Sequence, residues 1–329
     1  MKDTYEVSPT VLDWVIGQIG SDPTPLNALP LLNEWKRGIK SPTFNEIKTV
    51  SKKTRIPLGY FFLQRPPTET IRLMEYRTIA NTEFDTPSRE LVDTISDMEN
   101  IVDWTRSYLE FNHYEVNPIV GACRGQRDSM AIADTMRRLL GLSINWFEQT
   151  ENSFTYLRNA MSEKGVIIMM NGIVRESTHR PLNIDEFRAF TIIDEYAPLI
   201  FINAKDSLNG RLFSLLHEFA HVCLGRDNLF NDLYSGRSTD SIETLCNAVA
   251  AEILVPSTLP DSPFGQVDTT CPSQYGRGYY RILASRIDRR FFSFIVDSVA
   301  QGTTLYAEAF RITGTNRHTF FELATRMSR

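Results

Sequence analysis

Histidine is scarce in this chain, with five among 329 residues. No apolar run approaches the roughly 20 residues that a membrane-spanning helix needs, so no membrane span is expected. The opening residues, Met1-Lys2-Asp3-Thr4-Tyr5-Glu6, carry no apolar core, and no secretory leader is expected either. Cysteine is equally sparse. The four present, Cys123, Cys223, Cys246 and Cys271, lack paired spacing, which predicts reduced thiols in a cytoplasmic protein rather than a disulfide framework. An excess of positive charge is missing too. Lys and Arg number 35 against 40 Asp and Glu, a net charge of −5, which speaks against wholesale nucleic-acid binding. Internal repeats and low-complexity tracts are absent. What is present, 42% apolar and 23% charged residues, describes an ordinary soluble globular protein. The length allows two or three domains.

Two of the few histidines stand four apart in Leu212-Phe213-Ser214-Leu215-Leu216-His217-Glu218-Phe219-Ala220-His221-Val222-Cys223-Leu224-Gly225. The spacing H-E-x-x-H puts both imidazoles on one helix face, a turn apart, within reach of one metal ion. Chance matches to this pattern usually fall on amphipathic surface helices. Here almost every other position is apolar, so the helix is expected to be buried on most sides. Two histidines and a carboxylate buried without partners would cost several kcal/mol. One bound ion of the zinc type would satisfy them, with Glu218 placed to act on a metal-bound water.

A catalytic zinc takes three protein ligands and keeps one open position. Glu243, 22 positions after His221, is the best-placed third ligand. It lies on a second predicted helix that begins near Asp240 and is stopped by Pro256. Ile242, Leu245, Cys246, Val249, Ile253 and Leu254 form its apolar stripe. A capping box with Asp240, at D-x-x-E spacing, is the competing role for Glu243. Asn247, one turn on, is a candidate to support a ligand histidine by a hydrogen bond. Cys246 as an extra ligand is the lesser alternative to plain packing.

The N-terminal block reads as short helices with three apolar faces. They are Leu12, Val15, Ile16 and Ile19; Leu29, Leu31, Leu32 and Trp35; and Phe44, Ile47, Val50 and Ile56. From Glu34 to Arg55 the local charge is +5, which suits an anionic partner or a solvated helix face. Pro23 and Pro25 spoil the entry to a groove-reading helix. Between about 86 and 180 the pattern is mainly helical. Met98, Ile101, Val102, Trp104, Thr105 and Leu109 mark one helix, and Met130, Ile132, Met136, Leu139 and Leu140 another. Val166 to Gly172 reads as a buried strand. His113, His179 and His318 lack ligand spacing. His179, between two predicted strands, is a candidate to polarise a substrate carbonyl.

These motifs resemble the ImmA/IrrE family of metallo-endopeptidases. Its pattern is a hydrophobic helix with H-E-L-G-H, then E-x-x-x-N-x-F-A-A-x-L-L-M-P. The chain has His217-Glu218-Phe219-Ala220-His221 and the run from Glu243 to Pro256, with Ala220 and Val255 as departures that keep small or apolar character. The likeness extends to a hairpin over Phe187–Asn203, to Arg211 opening the zinc helix, and to Tyr76-Arg77-Thr78. Trp35-Lys36-Arg37-Gly38 and Pro57 to Leu63 resemble a helix-turn-helix found in longer members. It is weak between about Thr86 and Arg180.

The resemblance implies His217, His221 and Glu243 as Zn²⁺ ligands and Glu218 as catalytic base. It implies an α+β fold: a helix-turn-helix-like helical domain over 1–70, a gluzincin-like zinc metallopeptidase domain with a small sheet and buried helix over 71–260, and a mainly helical C-terminal region over 261–329. The expected activity is zinc-dependent cleavage of an intracellular protein partner such as a repressor or toxin. Strand addition of substrate to Leu199–Asn203 is expected. DNA is the lesser partner, a membrane is not expected, and the oligomeric state is left open. The alternatives are a DNA-binding regulator with the protease fold as sensor, and an antitoxin or anti-repressor that captures its partner without cutting.

Overall fold

The computed structural model describes residues 4–18, 29–54, 56–67, 76–77, 87–225, 238–257 and 279–327. Pro23, Pro25, Cys271 and both expected domain boundaries lie outside them. The chain forms two compact units, residues 1–72 with 85–92, and residues 73–84 with 93–329.

In the first unit, α1 (Pro9–Gln18), α2 (Leu29–Lys36) and α3 (Phe44–Thr54) close over one core. Leu12, Val15, Leu32, Trp35, Ile47, Val50 and Ile56 are buried in it, as the helical spacing predicts. Ile19 and the Leu29 side chain lie outside the described residues; among the rest, Phe44 is the exception. It sits at the surface, 42% exposed, with ring centroids 6.1 Å from Tyr5 and 6.3 Å from Phe62. Position explains this: Phe44 opens α3, where a reciprocal capping box sets the chain direction. The Thr43 amide donates to Glu46 Oε2 (2.9 Å), and the Glu46 amide donates to Thr43 Oγ1 (3.4 Å).

The second unit is mixed α and β. After β1 (Tyr76–Arg77) come α4 (Arg89–Phe111), α5 (Ser129–Leu140) and α6 (Ser153–Glu163), then β2 (Ile167–Asn171), β3 (Ala189–Ile192) and β4 (Leu199–Asn203). The two helices expected from periodicity are α4 and α5. Asp128 caps α5 by accepting from the Met130 amide, and Gly141 ends it in the left-handed conformation that a residue without Cβ adopts freely. Sheet order is β1-β3-β4-β2; only β2 and β4 run parallel. The expected hairpin is β3–β4. Its turn is fixed by Asp194 Oδ1, which accepts from the Tyr196 and Ala197 amides at 2.9 and 3.0 Å.

This order corrects the expectation of strand addition at Leu199–Asn203. That strand, β4, is paired on both edges, by β3 and by β2. It has no free edge for a substrate. The sequence shows a short apolar run but not its neighbours, and strands buried on both sides read the same way.

The helix α7 (Leu208–Leu224) covers β3 and β4, and α8 (Ser238–Leu254) packs along α7. Their apolar residues share a core with α5, α6 and one face of the sheet. The remaining helices are α9 (Tyr279–Arg286), α10 (Arg289–Ala300), α11 (Tyr306–Thr313) and α12 (Arg317–Met327). They join the outer edge of β2 through two side chains. Asp288 accepts from the Ile168 amide (3.2 Å) and from the Phe291 amide (3.0 Å), capping α10. Arg158 donates to the carbonyls of Ile168, Ser285 and Ile287. Among the described residues no helix is long and apolar enough to cross a membrane.

Candidate metal centre

Ser207 starts α7 by accepting from the Gly210 amide at 3.0 Å. Arg211, expected to open this helix, sits one turn inside it, its guanidinium 5.9 Å from the Phe154 ring centroid. From Ser214 to Leu224 every residue is buried. The helix ends at Gly225, φ +69°. Its last carbonyls are satisfied by the loop after α4: the Gly121 amide donates to Val222 O (3.0 Å) and the Cys123 amide to Cys223 O (2.7 Å).

Helical spacing stacks His217 and His221 with ring centroids 4.9 Å apart and Nε2 atoms 3.2 Å apart. Glu243 arrives from α8. Its Oε2 lies 3.1 Å from His217 Nε2 and its Oε1 lies 3.1 Å from His221 Nε2. One ligand atom from each of the three lies within 4.8 Å of the others, the arrangement a metal ion requires. His217 and His221 are 1% and 6% exposed. Burial opposes ionisation of Glu243, but hydrogen bonds from both imidazoles override it and hold the carboxyl well below the usual carboxylate range.

The donor set fits a divalent ion. Two imidazole nitrogens and two carboxylate oxygens meet in a space nearly closed to water. Protons shared among them would be one way to reconcile the lone pairs. A cation bound by two neutral imidazoles and a carboxylate does so directly, and this is a ligand set of catalytic zinc sites. Glu218 follows His217 on α7 and is 2% exposed, outside the converging trio.

The competing role of Glu243 as a cap has a geometric obstacle. The helix α8 begins at Ser238, two residues before Asp240, so Asp240 does not stand at the N-cap. The Asp240 side chain lies outside the described residues. Asn247 Oδ1 is buried with no hydrogen-bond donor on it among the described residues, so this oxygen accepts from neither histidine here. Cys246 belongs to the apolar core and stands outside the trio. Cys123, Cys223 and Cys246 are buried and form no disulfide among the described residues. His179 is exposed, on a turn held to α4 by the pairs Arg175–Asp97 and Arg180–Asp93.

Sequence reasoning missed the residues that hold these helices in place. Arg137 Nη2 donates to Glu252 O (2.6 Å) and Trp146 Nε1 donates to Ile253 O (3.2 Å), securing the end of α8 and with it the direction from which Glu243 approaches. Arg188 donates both ways to the buried Asp206 carboxylate (2.9 and 2.8 Å), just ahead of α7. Their local sequence, polar and apolar residues mixed, carries no signal for these roles.

Residues 177–266 match the family model of the IrrE N-terminal-like domain, Peptidase_M78. Residues 287–326 match a domain of unknown function, DUF8813. A 68-residue stretch is 43% identical to the radiation response metalloprotease IrrE of Deinococcus deserti, and covers 19% of this chain and 24% of that relative. The similarity therefore spans about a quarter of the relative's length. No solved structure matches the chain. Residues 177–266, which contain both α7 and α8, are thus similar to the IrrE N-terminal-like domain.

Proposed function

We propose that the chain is a zinc-dependent endopeptidase, gluzincin-like in its ligands, that cleaves a specific protein partner inside the cell, such as a repressor or toxin. One observation carries this reading: His217, His221 and Glu243 converge while the neighbouring Glu218 is buried. The family match over α7 and α8 supports it. His217, His221 and Glu243 would hold the ion and leave a position open to substrate. A bound zinc ion supplies Lewis acidity at the peptide carbonyl and lowers the pKa of water. Glu218 takes the proton of the attacking water and returns it to the departing nitrogen. Its burial removes competing solvent from the proton transfer.

The test is Glu218→Gln in the full chain. Zinc content and fold should be retained. Cleavage of the true partner, sought among repressors and toxins encoded beside this protein, should fall at least about a hundredfold. Undiminished cleavage by the variant would remove Glu218 as the base. A zinc-loaded wild type that binds the partner and leaves it intact would establish the capture reading instead.

A further inference from the structure

Away from α7, the other face of the sheet carries a cleft. Ile168, Met170, Ile200 and Ile202 join the core that contains α7. Side chains alternate along a strand, so Met169 and Phe201 point to the opposite side. There they line a cavity of about 90 Å³, walled by Met98 and Ile101 of α4 and by Leu283 and Ile287 of the C-terminal helices. An apolar cavity of roughly 150 Å³ accepts benzene. This one has room for a branched aliphatic group or the inner part of a ring, with the rest of a ligand left at the mouth.

The mouth is charged. Arg175, Arg286 and Arg311 line it with Asp97 and Glu176, one more cation than anion. Asp97 is already committed: Arg175 Nε donates to Oδ2 at 2.7 Å and Arg175 Nη2 pairs with Oδ1. Arg175 itself stands at φ +52°, a conformation uncommon for a residue with a Cβ. Arg311, in the last turn of α11, is exposed, and no carboxylate among the described residues pairs with it. The carbonyl end of α11 opposes an anion with about half a unit charge. The full charge of Arg311 outweighs it.

An apolar pocket with a few convergent polar groups is the form of a small-ligand site. We propose that this cleft binds a carboxylate on a small apolar body, either an arylalkyl or branched acid or the C-terminal residue of a peptide. The apolar part rests on Met169 and Phe201, and Arg311 meets the carboxylate. The site is independent of the metal centre and of the proposed peptidase activity.

The probes are 3-phenylpropionate, its cationic counterpart 3-phenylpropylamine, and a tetrapeptide ending in Phe with a free or an amidated C-terminus. Each is titrated at millimolar concentration into the full chain labelled with ¹³C at the methionine methyls. The Met98 and Met169 signals, assigned by Leu substitution, should shift saturably with 3-phenylpropionate and not with the amine. Arg311→Gln should weaken that binding about tenfold, the loss of one charge-assisted contact, without changing zinc content. Arg311→Glu should reverse the preference towards the amine. A response to the free-acid peptide and not its amide would assign the carboxylate to peptide ends. A response to 3-phenylpropionate alone would assign it to small acids. No shift with any carboxylate, or equal shifts with amine and acid, would overturn the site.

Discussion

The Asp206 carboxylate occupies the space that a side chain on Gly210 would need: a Cβ there would lie 2.3 Å from Asp206 Oδ1. Gly210 is in the first turn of α7, and its missing Cβ lets the carboxylate fold beneath the helix start. There Asp206 meets Arg188 and accepts from the Ser207 amide at 2.7 Å.

Gly210→Ala should therefore destabilise the chain. In an open helix position the same change stabilises by up to about 1 kcal/mol. Here the carboxylate must leave charged and backbone partners, and the expected loss is about 2 kcal/mol. The opposite signs make the measurement decisive. A denaturant midpoint equal to or above wild type would show that the carboxylate relocates without loss.

The Glu243 carboxylate, with one oxygen on each histidine, gives the second prediction. Purified wild-type chain should hold about one zinc. Outer-shell substitutions cost roughly 10- to 100-fold in metal affinity, so replacing a ligand with a weaker donor should reach or exceed the upper figure. Glu243→Gln is the informative variant, because Gln still serves a capping box. Competition with a zinc-binding dye would measure it. Affinity within threefold of wild type would send the third-ligand assignment elsewhere.

How much of this was legible in the sequence depends on the range over which each signal acts. The helix α7 and its paired histidines were readable because spacing within one helix is a local property. Glu243 was readable as a candidate but had a competing local role, a capping box with Asp240, and the start of α8 at Ser238 together with the Glu243 carboxylate set against both histidines separates the two. Trp146 and Arg137 were not readable. They cap the carbonyls of Ile253 and Glu252 across more than 100 residues, and nothing local marks a side chain for that. Sheet order is non-local in the same way. Leu199–Asn203 was identified as a strand, but β2, which covers its second edge, lies nearly 30 residues earlier. Phe44 failed for a different reason: periodicity counts it with the apolar face, while its place at the helix start leaves it outside the core.

Acid should act on the first unit through Glu46. Its hydrogen bond with Lys40, followed by that of the Thr43 amide, lowers its pKa from 4.5 to about 2. A folded pKa below the unfolded one contributes stability above the unfolded value, and this is lost as pH falls through the folded value. The window is thus from pH 4.5 to about 2. The pair is exposed, so salt should reduce the effect. Glu46→Gln keeps an acceptor for the cap and removes the charge. The stability gap between wild type and this variant should narrow across that window. A gap constant with pH would mean that the charge contributes nothing.

Binding of nucleic acid by the first unit should be weak and non-specific. Within the basic stretch, Lys36 is paired with Asp13 and Lys40 with Glu46, which reduces the charge free to meet phosphates. Lys48, Lys52 and Lys53 remain exposed on α3. If they contact phosphates, each contact releases counterions, and the affinity should fall steeply with salt. At physiological salt, mobility-shift titrations on DNA upstream of the chain's own gene should show no complex that an unrelated duplex of equal length does not form. Any residual low-salt binding should disappear when Lys48, Lys52 and Lys53 are changed to Glu, with zinc content unchanged. A tight complex with one sequence at physiological salt would make DNA the partner of this unit, and would favour a regulator in which the peptidase fold serves as sensor.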